Sequence, residues 1–229
     1  MTRARLEVCV DTAAGLRAAI AGGADRVELC SRLDLGGLTP TADLLAMVSD
    51  SPIPVRAMIR LRGGDFVLNA PDLDQMASQI EHARNAGCEG VVFGAATAAG
   101  SLDTSALRTL MGAAGDLGKT LHRVVDTLSD PASAILPAEQ LGFDTLLTSG
   151  GRPSAAEGTE TLSAMIEQAQ RITIMPGAGV SPVNAAHIAA RTGATWVHGS
   201  FRGADNQTDA TLIRDTRLRL ERLGDRIGQ

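Results

Sequence analysis

Glu7, Cys9, Glu28, Cys30, Arg60, His122 and His198 are the side chains in this sequence best suited to hold a metal or move a proton. They recur at comparable places in a repeating pattern. Glu7 and Cys9 stand in one short apolar run, Glu28 and Cys30 in the next, Arg60 at the end of a third, His122 and His198 in later ones. Thiols on neighbouring strands are about 4.8 Å apart across the sheet. Cys9 and Cys30 could therefore share one soft ion such as Cu(I), with Met58, Met175 or His122 as a third donor. The same set also supports acid–base chemistry, with Glu7 or Glu28 as base, His122 and His198 as acid or base, and Arg60 as a carboxylate clamp. Carboxylates taken out of water need a counter-charge or a proton. Pairing of Glu7 or Glu28 with Arg60 would meet that need, and as a structural ion-pair network it would serve the fold alone.

The elements that must position these residues alternate in kind. Strand-like runs fall at Leu6–Val10, Arg26–Leu29, Val55–Ile59, Gly90–Phe93, Thr120–Arg123, Thr145–Thr148, Ile172–Met175 and Trp196–His198. Between them lie segments with helical spacing, such as Leu73, Met76, Ile80 and Ala83 on one face. Proline near helix starts (Pro71, Pro131) and glycine at helix ends (Gly23, Gly142, Gly193) punctuate the boundaries. Eight strands with helical crossovers imply parallel pairing, and eight such units in 229 residues predict an α/β fold: one (β/α)8 TIM barrel over residues 1–229. A doubly wound open sheet is the alternative. The stretch 205–229 is expected as a C-terminal helix outside the barrel. Alternation along each strand sends Leu6, Val8, Val10, Val27 and Leu29 toward the helices and the polar and sulfur residues inward.

Glycine-rich loops follow the last three strands: Gly150-Gly151, Gly177-Ala178-Gly179 and Gly199-Ser200. In such barrels these loops often offer backbone N–H groups to a phosphate. Arg60 and Arg62 supply guanidinium groups after the third strand. Arg62, Gly150, Gly177, Gly179, Gly199 and Ser200 are thus a candidate cradle for a small anionic ligand, or simply tight turns. Lys119 is the only lysine and precedes the fifth strand, at the wrong end for a Schiff base.

Composition narrows the classes. A net charge of −5 with no Lys/Arg stripe argues against nucleic acid. No window is long and apolar enough for a membrane span. Three scattered cysteines do not make a secreted disulfide framework, and Met1 to Arg5 lead into a strand without an apolar leader, so the cytoplasm is the expected location. A homo-oligomer is left open.

The segments Leu6–Asp11, Gly23–Ser31 and Gly36–Pro40 resemble the CutC family of cytoplasmic copper homeostasis proteins. The similarity continues through Met58–Arg60, Arg62–Phe66, Gly90–Gly94, His122-Arg123, Asp126, Leu147–Gly151, Ile174–Gly177 and His198–Ser200. It spans about the first 200 residues in order. Departures are Leu61 in place of a proline, Val124-Val125 in place of a small residue and an aromatic, and Ala178 in place of a glycine. The resemblance implies a (β/α)8 barrel and cytoplasmic copper handling, with cysteines as the metal ligands. The alternative is a TIM-barrel enzyme working by acid–base chemistry on a small phosphorylated or carboxylated metabolite.

Overall fold

A computed structural model describes residues 3–227. Eight strands alternate with helices: β1 (Arg5–Val10), α1 (Ala13–Gly22), β2 (Arg26–Leu29), α2 (Ala42–Leu45), β3 (Val55–Met58), α3 (Ala70–Asn85), β4 (Gly90–Phe93), α4 (Thr104–Ala114), β5 (Gly118–Leu121), α5 (Ile135–Leu141), β6 (Thr145–Thr148), α6 (Thr159–Gln168), β7 (Thr173–Pro176), α7 (Ala185–Thr192), β8 (Trp196–Gly199) and α8 (Ala210–Ile227). All pairings are parallel, in the order β7-β6-β5-β4-β3-β2-β1-β8. β7 and β8 stand side by side without a hydrogen-bonded register, so the ring is nearly closed. The result is a single-domain (β/α)8 barrel.

Each helix lies where its apolar stripe requires. In α3, Asn69 and Asp72 form reciprocal caps at the start, Pro71 sits in the first turn, and Met76, Ile80 and Ala83 are buried beneath. The outward faces of the strands supply the other half of this core. Leu6, Val8, Val10, Val27, Leu29, Val91 and Phe93 are fully buried, and each such side chain contributes about 1.5–3 kcal/mol. α8 packs against α1 and α7. It begins at Ala210, five residues later than the expected stretch 205–229, while residues 228–229 of that stretch lie outside the described residues, as do Met1 and Thr2.

The barrel floor is built around Arg56 of β3. Its guanidinium reaches Glu89 (2.9 Å), Thr120 (2.8 Å) and Asp144 (2.6 Å) across three neighbouring strands. The side chain can lie flat only because β4 and β5 begin with glycine. A Cβ at Gly118 would stand 2.4 Å from an Arg56 nitrogen, and one at Gly90 2.9 Å. Arg26 stacks on the Trp196 ring at 4.2 Å and pairs with Glu7.

Candidate functional site

The inward side chains of the upper strands line a cavity of about 630 Å³ at the C-terminal ends of the barrel, within the usual range of ligand sites. Cys9, Glu28, Met58, Arg60, His122 and His198 line it, with Gly179, Gly199 and Ser200 from the loops.

The ladder between β1 and β2 sets the heights at its base. Cys9 pairs across from Glu28, and Glu7 pairs with Arg26 on one side and His198 on the other. Cys30 therefore rides a level above Cys9, its N–H bonded to the carbonyl of Val10. The side chains that converge are Cys9, Glu28 and His198, whose ligand atoms lie within 4.8 Å of one another, all buried. Cys30 is outside that group. Its thiol instead lies 3.4 Å from Glu28 Oε2, and burial together with the neighbouring Glu28 pushes it well above its usual range.

Glu7 is fully buried one layer below and does not line the cavity. The expected pairing with Arg60 is corrected: Glu7 pairs with Arg26 and with His198 Nδ1 at 2.8 Å. Burial raises a carboxyl, but Arg26 and His198 outweigh it and hold Glu7 at about 2. Glu28 differs. Burial, aided by the Glu7 charge, raises it, and its Oε1 is buried without a partner. His198 is raised well above its usual value: burial opposes its charge, but Cys9 and Glu28 beside it prevail. With Nδ1 tied to Glu7, the ring presents Nε2 to the cavity, 3.9 Å from Glu28 Oε2. A carboxylate that fixes a histidine in this way is the usual outer support of a metal ligand.

On the opposite wall, β5 ends at Leu121, so His122 starts a short helical turn (Arg123–Thr127) and is not a strand residue as the alternation predicts. Its Nδ1 accepts the N–H of Val124 at 3.2 Å, which puts the ring proton on Nε2. That Nε2 is buried and unpartnered. Burial, assisted by the Arg60 charge, lowers His122 to about 3, so it is neutral. Gly94 makes room for it, since a Cβ there would stand 2.5 Å from the ring. Arg60 donates to the carbonyls of Leu35 (3.0 Å) and Gly64 (3.2 Å) rather than to a carboxylate. Its plane lies over Phe66, which also packs against His122.

The structure divides the candidate anion cradle. Arg62 faces away from the cavity, engaged by both oxygens of Asp72. Gly150 N–H donates to Thr148 Oγ1 (2.9 Å), and the carboxylate of Asp126 receives the N–H groups of Ser149 (3.0 Å) and Gly151 (3.1 Å). That loop thus encloses an anion of its own. Gly177 N–H is spent on the Thr148 carbonyl. Gly179, Gly199 and Ser200 remain on the cavity wall. Next to Gly179, Ala178 holds φ at +76°, a left-handed conformation that costs a non-glycine residue of order 1–3 kcal/mol and clusters at functional sites.

Phe66, Arg123, Asp126 and Arg202 also line the cavity, though no chemical role is legible for them in the sequence. Asp126 takes its place through contacts with Thr148, Ser149 and Gly151 far along the chain, which local sequence patterns do not carry. Arg123 is paired with Asp126 (2.7 Å) and Arg202 with Asp11 (2.6 Å). No described helix is long and apolar enough to cross a membrane.

Comparison with known proteins agrees with the fold and places the family. Residues 4–203 match the profile of the CutC family. A CutC family protein of Caulobacter vibrioides is 54% identical over 202 residues, covering 88% of this chain and 82% of the relative. One of Rhizobium meliloti is 48% identical over 214 residues, covering 93% and 87%. A solved structure from Streptococcus agalactiae, provisionally described as the copper homeostasis protein CutC, superimposes with a TM-score of 0.81 at 31% identity, covering 86% of this chain and 98% of that one.

Proposed function

Since the chain belongs to the CutC family, we propose that it handles copper in the cytoplasm by binding Cu(I) at the base of the barrel cavity. The observation that carries this reading is the convergence of Cys9, Glu28 and His198 within 4.8 Å. Cu(I) prefers soft donors and accepts two-coordination. The Cys9 thiolate and His198 Nε2 supply such a pair, and Met58 on the same wall is a further soft donor. Negative groups surround the point where the Nε2 proton sits, so a cation that takes the place of that proton is favoured. Glu7 holds the imidazole in position from beneath. Cys9, Cys30 and Cys88 are all free thiols, the state a reducing cytoplasm maintains.

The test separates this pair from the Cys9–Cys30 pair that spacing alone suggests. Anaerobic titration against a chromophoric Cu(I) chelator should give about one Cu(I) per chain, with one sulfur and one nitrogen ligand by X-ray absorption. Cys9→Ser should abolish binding and Cys30→Ser should leave it in place. Binding that survives Cys9→Ser overturns the proposal. Loss in both variants returns the site to the two thiols.

A further inference from the structure

Copper at Cys9 and His198 accounts for the base of the cavity and leaves its upper wall without a purpose. Three side-chain nitrogen or oxygen atoms among the described residues are buried with no hydrogen-bond partner: Glu28 Oε1, Arg60 Nε and His122 Nε2. All three residues line this one cavity. Buried polar groups in folded proteins are nearly always satisfied, and leaving one unpaired costs about 1–3 kcal/mol. Three orphans around one opening are what a site looks like before its ligand arrives.

We propose that the cavity binds a small hydroxycarboxylate, with its carboxylate received by Arg60 and His122 and a hydroxyl directed to Glu28. The donors decide the anionic end. His122 Nε2 carries the ring proton, because Nδ1 accepts from Val124, and Arg60 Nε is a donor always. Both need an acceptor. Charge decides that the acceptor is a monoanion. Of the three arginines on the cavity wall, Arg123 is neutralised by Asp126 and Arg202 by Asp11, which leaves Arg60 as the cation without a carboxylate partner. The other nitrogens of Arg60 already donate to backbone carbonyls. The glycine loop after β6 already holds Asp126. A phosphate dianion, which calls for more donors and more positive charge, therefore fits less well. At the base, Glu28 Oε1 needs a donor, and a hydroxyl supplies one. Leu33, Leu147 and Val180 give the cavity apolar flanks for a short carbon skeleton. The carboxylate end stands whether or not copper binds, because neither Arg60 nor His122 belongs to the Cys9–Glu28–His198 cluster; Glu28 is shared, so the site is tested free of copper.

The experiment uses copper-free protein with a chelator present, titrated with lactate and gluconate, and with propionate and inorganic phosphate as comparisons. A ligand that binds only the folded state raises the thermal midpoint with the logarithm of its concentration. Lactate or gluconate should raise it, propionate less and phosphate least. Arg60→Met, which keeps the stem over Phe66, and His122→Phe, which keeps the ring and loses the donor, should each weaken binding by roughly tenfold or more. Both should still take up Cu(I) as the parent does, which shows that they are folded. Equal stabilisation by phosphate overturns the carboxylate assignment. No response to either hydroxycarboxylate, or a response unchanged in both variants, overturns the site.

Discussion

The floor and the mouth of this barrel both carry charge where such barrels usually carry aliphatic layers, and they treat it in opposite ways. On the floor, Arg56 spreads over Glu89, Thr120 and Asp144, and Arg26 is held by Glu7 and by the face of Trp196. Every charge there has a partner. At the mouth, Glu28, Arg60 and His122 each leave an atom unanswered, and Ala178 sits in a strained conformation beside them. The floor is complete within the chain. The mouth is complete only with something bound, so the charged and polar residues inside one barrel divide into those that hold the fold and those that wait for a ligand.

The largest effect should come from breaking the floor. Arg26→Met leaves the Glu7 carboxylate, with no exposed surface, facing His198 alone. Removing one member of a buried pair strands the other charge, at a cost of about 3–5 kcal/mol. Urea denaturation at neutral pH should show that loss. A change under about 1 kcal/mol would mean that His198 alone balances Glu7, and the floor would no longer contrast with the mouth.

How far this contrast was legible in the sequence depends on what kind of information each residue needs. Alternation sent Glu7, Cys9, Glu28, Cys30, Arg56 and Arg60 inward, and all of them lie there, because side-chain parity is a property of one strand. Their partners are a property of register between strands, and no spacing in the sequence carries that. The parallel ladder sets Glu7 beside Arg26 and not Arg60, and Cys9 level with Glu28 and not Cys30. His122 was displaced for a local reason: it caps the turn from Arg123 to Thr127, so the strand ends at Leu121, two residues before the expected Arg123. The seat of Asp126 against the glycine loop was out of reach for another, since the loop residues it bonds lie 22 to 25 positions away.

A second effect sharpens the contrast through pH. His122 stays neutral at the mouth, with its pKa near 3 in the folded state, against about 6.5 in the unfolded chain. Between those values the unfolded state binds a proton that the folded state refuses. Stability from this group is therefore full above about pH 6.5 and falls as pH drops toward 3, by up to about 1.4 kcal/mol per pH unit. His122→Phe should flatten that part of the pH–stability profile relative to the parent. Profiles that run parallel through pH 6 to 4 would show that the imidazole is protonated in the folded protein, and so not the neutral donor that the mouth requires.

The smallest effect is the most telling about why the mouth is charged at all. Glu28→Gln keeps the shape of the side chain and removes its charge. The amide oxygen can still accept from the Cys30 thiol, now 3.4 Å from Glu28 Oε2. What is lost is attraction to His198 across 3.9 Å. What is relieved is the burial of a carboxyl group with one oxygen unpartnered and its repulsion by Glu7. These nearly cancel, and replacing an imperfectly paired buried charge is often neutral or stabilising. Thermal and urea unfolding should place the variant level with the parent, or above it by less than about 1 kcal/mol. A loss of 3 kcal/mol would put Glu28 with the floor residues and end the division between the two regions. If the fold is as stable without that charge, then folding does not explain its presence, and the remaining account is what the cavity binds.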